Sequence, residues 1–240
     1  MKNEEKKKSE EKKPQEKPAD TSVDAAVKEI EKNLFAIKFY PVAVDLDSKT
    51  EGMQNILKIY KEGNETVRQL LIFMLHEAVS QYYDFKTVHV YDYFKAKNPQ
   101  EDPTKLRMDV YRSIFNYNTS LEGIIDMILL LGKMSDNDDA AKVLTYHYAR
   151  TSSIETEAHV MLRNVILDSL GDSDSPYALT ALLKYARYTD SERTLPRIQL
   201  AVDKWSRKLE TLKMNEKRKQ QLKHELDDVL IKEFGKTHYG

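Results

Sequence analysis

The sequence predicts an all-α protein, and three observations carry that prediction. Apolar residues recur at spacings of three and four along most of the chain, the interval that lines one face of a helix. Glycine and proline number only 7 each in 240 residues, too few for a turn-rich β protein. Between the periodic runs stand Ser, Thr, Asp and Asn at N-cap offsets, some followed by Pro or Glu. Apolar residues make up 40% of the chain and charged residues 32%, a highly charged composition that still supplies a core.

Residues 1–20 hold seven Lys, five Glu and one Asp, with no aromatic or branched apolar side chain. Such a segment buries too little surface to offset its ordering entropy, so it is expected to be a disordered Lys/Glu-rich tail. Its alternating blocks of charge cancel, which favours a solubilising role over an electrostatic tether. No apolar run follows the early lysines, so no secretory signal is expected. Ile124 to Leu131, the longest greasy stretch, contains Asp126 and is far shorter than the ~20 residues that span a bilayer. The expected setting is cytoplasmic, without membrane insertion.

Residues 21–240 are expected to form a single all-helical domain. Thr21 with Asp24 approximates a capping box before Val23, Val27, Ile30 and Leu34. Phe35 to Leu46 loses the helical period and contains Pro41, so an extended connector or a short edge strand is expected there. Residues 48–212 then read as helical hairpins. Asn64 caps a run with Val67, Leu70, Leu71, Met74, Ala78 and Tyr82 on one face. Residues 84–97 fit helix or strand, because Val88, Val90, Tyr91 and Tyr93 alternate. Asp102–Pro103 opens a helix with Leu106, Val110 and Ile114, and Thr119 with Glu122 opens another through Leu121, Ile125 and Ile128. Further helices are expected over 138–150 and 154–170. Gly171 stands where a helix C-terminus wants positive φ. Ser175–Pro176 restarts the chain as N-cap and first helical residue, and Asp190 or Thr194 opens the next helix with Pro196 in its first turn. After a break at Met214–Asn215, a capping helix over 215–236 carries Leu222, Leu226, Val229, Leu230 and Phe234.

A shift of 37 residues lays Tyr148-Ala149-Arg150 on Tyr185-Ala186-Arg187, and Met161 and Val165 on Ile198 and Val202. One step further back, Tyr111-Arg112 falls in the same place with drifting phase. The stretch LDSLGDSDSPYALTALLKYAR, through Leu170, Gly171, Asp172, Pro176, Ala178, Leu179, Leu182 and Leu183, resembles the junction between HEAT-like (armadillo-type) helical repeats. The resemblance covers about 105–212, extends faintly over 50–100, and lacks the Val-Arg expected early in the second helix, at 154–158. It implies a right-handed α-solenoid of HEAT-like hairpins whose second helices line one face. A compact irregular helical bundle would bury the same residues, and periodicity does not separate the two.

Chemistry is sparse. There is no cysteine, which removes disulfides, thiol nucleophiles and Cys-ligated metals. His76-Glu77 begins a zinc-protease-like motif, but Ser80 stands where the second histidine belongs. His147 and His159 fall on consecutive helices without a visible third ligand, and read as ordinary surface histidines. Ser135 to Asp139 lacks the glycine and distal glutamate of a calcium loop, and capping by Asp136 or Asn137 accounts for it. Asp172 and Asp174 read as capping residues too. No phosphate-binding glycine loop or nucleophile elbow occurs. No cofactor or metal is therefore expected, and an enzyme only if an unrecognised pocket lies between helices. Tyr146, Tyr148, Tyr185 and Tyr188 fit either a protein-binding cluster or buried rings with surface hydroxyls. Trp205 reads as core.

Charge placement says more. From Leu121 to Ser175 ten acids face four bases; from Lys204 to Lys223 eight bases face two acids. The total of 38 Lys and Arg against 39 Asp and Glu therefore hides two opposite blocks. The expectation that follows is a non-enzymatic scaffold or adaptor that holds another protein along its second helices and its basic C-terminal end. Arg163, Arg197, Lys204, Arg207 and Lys208 are the partner-binding candidates. The alternative is a nucleic-acid-binding repeat protein using the same basic end, against which the acidic middle counts.

Overall fold

The computed structural model describes residues 20–41, 44–84, 100, 121–134, 136–152, 157–189 and 191–235. Among them are nine α-helices and no strand. These are α1 (Asp20–Lys38), α2 (Leu46–Glu62), α3 (Glu65–Asp84), α4 (Leu121–Lys133), α5 (Asp138–Thr151), α6 (Glu157–Asp172), α7 (Pro176–Tyr188), α8 (Leu195–Lys208) and α9 (Glu216–Lys232), with a 3-10 turn at Leu209–Thr211. The expectations for residues 1–19, for 84–97 beyond Asp84, for the helix after Asp102–Pro103, for the Thr119 cap and for Asp190 lie outside the described residues.

Short polar side chains start the helices by accepting the N–H groups that a first turn leaves free. Asp45 takes Ser48 N at 2.7 Å, Asn64 takes Val67 N at 3.0 Å and Asn137 takes Asp139 N at 2.7 Å. Ser175 takes Tyr177 N at 3.2 Å with Pro176 beside it, and Asn215 takes Lys217 N at 3.0 Å. Thr194 precedes α8 as expected, but its hydroxyl donates to Ser191 Oγ at 3.0 Å instead of capping.

Two local expectations are corrected, at Phe35 to Lys38 and at Gly171, while the helix expected from residue 48 is present as α2. Phe35 to Lys38 is helix and not connector, because Ile37 continues the buried stripe of Ile30 and Leu34. α2 is a full helix although its sequence is mostly polar; Lys49, Gly52, Ile56 and Tyr60 form its buried side, and α1 presses so close that a methyl at Gly52 would lie 3.0 Å from the Asn33 carbonyl. Gly171 does not end a helix. It sits in the last turn of α6 without positive φ, and a Cβ there would lie 3.0 Å from the Cα of Ala201 on α8. The residue is small because two backbones meet, and the chain leaves the helix one residue later.

One continuous apolar cluster runs from Ile30 in α1 to Val229 in α9. α4 and α8 pack on either side of α6. Behind them α5 packs on α7, and α7 on α9, with α6 touching both α5 and α7. α3 packs on α4 and α5, and the α1–α2 pair closes against α3 and α4. Residues at the 37-residue shift meet in space: the rings of Tyr148 and Tyr185 stack with centroids 4.0 Å apart. The shift does not hold for α6 and α8. Their buried sides align at 36, which pairs Leu162 with Ile198 and Ile166 with Val202, while Met161 faces outward.

Candidate functional site

The outer surface of α6 and α8 gathers most of the charged candidates. On α6 Met161, Val165, Asp168 and Asp172 follow one stripe at spacings of 4, 3 and 4; on α8 Arg197, Leu200, Lys204 and Arg207 follow another at 3, 4 and 3. The two stripes interlock. Arg197 donates to Asp168, Lys204 Nζ lies 2.7 Å from Asp172 Oδ1, and Lys208 Nζ lies 3.5 Å from Asp174 while donating to the Ser173 carbonyl. Asp172 and Asp174 are thus ion-pair partners rather than caps, the cap before α7 being Ser175. Trp205 is buried beneath this ladder, donates from Nε1 to the Leu170 carbonyl at 3.0 Å, and carries the Lys208 ammonium 4.2 Å above its ring. Burial holds the Lys208 ammonium below its ordinary pKa, against the opposing pull of Asp174.

Of the five candidate bases, Arg197 and Lys204 are therefore held by acids of α6, and Lys208 by Asp174 just beyond it. Arg207 is exposed and has no ion-pair partner among the described residues. Arg163 lies apart from the other four. It is 1% exposed, and its Nη1 donates to the Thr151 carbonyl at the end of α5. A guanidinium there satisfies a free carbonyl and complements the negative end of the helix. A sequence signal pointed to this: His159, Arg163, Ile166 and Leu170 keep a 4-3-4 spacing, so Arg163 falls on the apolar stripe.

α4, α6 and α8 each also expose an apolar side chain. Leu200 is 52% exposed, Met161 48% and Leu129 of α4 39%, one on each of three neighbouring helices. Met161, which the 37-residue shift lays on the buried Ile198, instead faces outward. The tyrosines divide: Tyr148 and Tyr185 are the stacked inner pair, the Tyr185 hydroxyl donating to the Thr145 carbonyl at 3.3 Å, whereas Tyr146 and Tyr188 are exposed.

His147 and His159 are buried, contrary to the surface reading. His147 Nε2 lies 3.2 Å from Nδ1 of half-buried His76 on α3, so one ring donates and the other accepts. Desolvation, with His76 and Arg150 adding to it, pushes the His147 pKa down to about 3, and the ring is neutral at pH 7. Among the described residues no three His, Asp or Glu side chains converge in a way that would hold a metal ion. Another buried charge is structural: Lys49 Nζ lies 2.9 Å from Glu122 and 3.0 Å from Asp126 of α4, and 4.2 Å from the Tyr40 ring centre. No described helix is long and apolar enough to cross a membrane.

Compared with known proteins, the chain matches no family model, no curated protein and no solved structure.

Proposed function

We propose that this chain is a non-enzymatic scaffold built from HEAT-like helical hairpins, and that it holds a partner protein across the outer surface of α4, α6 and α8. The observation that carries the reading is the exposed Leu129, Met161 and Leu200, one on each helix of that row. Exposed apolar side chains on adjacent packed helices, set among charged ones, suit a protein-binding surface. The solenoid part of the reading rests on the side-by-side packing of α4, α6 and α8 with α5 and α7 behind them.

The ion-pair ladder favours a protein partner over nucleic acid. A phosphate backbone needs unpaired cations, and three of the candidate bases already face carboxylates. The nucleic-acid reading keeps its footing at Arg207, Lys213 and Lys217, which are exposed without described ion-pair partners. Affinity capture from native lysate, with and without nuclease, separates the two. A stoichiometric protein that survives nuclease and is lost with Met161→Asp plus Leu200→Asp supports the scaffold. Retention that vanishes with nuclease, and is lost with Arg207→Glu plus Lys213→Glu but kept with Met161→Asp plus Leu200→Asp, points to nucleic acid.

A further inference from the structure

A second surface stands away from the α4–α6–α8 row. α1 and α3 pack against each other and leave a groove of about 350 Å3 between them. Its floor is apolar and buried, through Leu34 of α1 and Ala78 of α3. Its walls are phenylalanines: Phe35 is 53% exposed and Phe73 56% exposed. Phe39 follows Phe35 by one turn with ring centroids 4.5 Å apart, so the α1 wall is an aromatic ridge. Helix residues do not leave two phenylalanines half in water for their own stability, since each forgoes about 1–2 kcal/mol of burial.

Shape and charge together specify what fits. A seam between two helices with apolar positions one turn apart on each is the receiving half of helix-in-groove recognition. Each wall also carries an exposed acid on the groove, Glu31 on α1 and Glu77 on α3, and neither has an ion-pair partner among the described residues. Lys38, the cation on the lining, leans over the Phe39 ring at 5.8 Å. We propose that the α1–α3 groove is a docking site for an amphipathic helix of a partner protein, one that carries lysine or arginine beside its apolar stripe. Leucine or phenylalanine at i, i+3, i+4 and i+7 would fill the seam, and the flanking cations would meet Glu31 and Glu77.

The test uses the full chain and two labelled synthetic helical peptides, alike in their leucine stripe, one flanked by lysines and one by glutamates. Fluorescence anisotropy is expected to show the lysine peptide binding at least about tenfold more tightly. Glu31→Lys with Glu77→Lys should invert that preference, and Phe73→Ser should abolish binding of both with helix content unchanged. Should Phe73→Ser fail to fold, the charge inversion still decides. Equal binding of the two peptides overturns the proposal. So does binding of neither, whether the chain sediments as a monomer or as a dimer that Phe73→Ser splits, the latter placing a second copy in the groove.

Discussion

Tyr148 and Tyr185 lie 37 positions apart and stack on each other, with ring planes 26° from parallel. The contact joins α5 to α7 through the residues that the 37-residue shift superposes in the sequence. Burial pushes both phenol pKa values up, and the Tyr185 hydroxyl reaches back to the Thr145 carbonyl. Tyr185→Ala is expected to cost about 3 kcal/mol and Tyr185→Phe no more than about 1.5 kcal/mol, since the second change removes only a hydrogen bond. Urea unfolding of the two variants checks this; equal losses would mean that the stack contributes nothing beyond the hydroxyl.

Acid should destabilise the fold through His147. Its folded pKa of about 3 lies below the ordinary 6.5, so the unfolded chain binds the proton more readily. The contribution is intact above pH 6.5 and is lost as the pH falls toward 3. At pH 5 the loss comes to about 2 kcal/mol. His147→Gln should flatten the stability profile between pH 7 and 5, measured by urea unfolding at each pH. An unchanged slope would show that the ring is not buried neutral.

Gly171→Val should loosen the α6–α8 contact. The added Cβ meets the Ala201 backbone at 3.0 Å, and backbone cannot turn aside as a side chain can. Overpacking of this kind costs about 1–3 kcal/mol, more than the ~1 kcal/mol that leaving glycine gains in helix propensity. A melting temperature that rises with Gly171→Val would refute the close approach.

Lys49→Met removes one cation from two carboxylates. Asp126 is buried and would be left without its partner, an arrangement that costs about 3 kcal/mol. Adding Asp126→Leu should recover much of that loss, because the pair then leaves together. Chemical denaturation of the single and double variants measures the recovery, and a double variant weaker than the single would contradict it.

The helices themselves were legible in the sequence, because caps and 3-4 spacing are local. Asn64, Asn137, Ser175 and Asn215 could be picked as starts from a few neighbouring residues each. What escaped depended on a second helix. Gly171 carries the same signal whether it ends a helix or lets Ala201 approach, and only the neighbour decides. α2 was expected as a helix, but it buries a lysine and a glycine, so which side faces inward depends on Glu122 and Asp126 of α4. The candidate surface was half legible. Its basic residues were visible as a run, but their acid partners sit about thirty positions earlier in the chain, on α6 and just beyond it.

That ladder has a consequence for encounter. Along the chain the acidic and basic blocks stand apart, yet across α6 and α8 Arg197, Lys204 and Lys208 each meet a carboxylate, and these three pairs are locally neutral. Beyond a Debye length, about 8 Å at physiological salt, an approaching molecule feels little of these paired charges. Collision with this face is therefore set by diffusion and not by attraction, and the association rate there should change little with ionic strength. Selectivity must then reside in how slowly the right molecule departs.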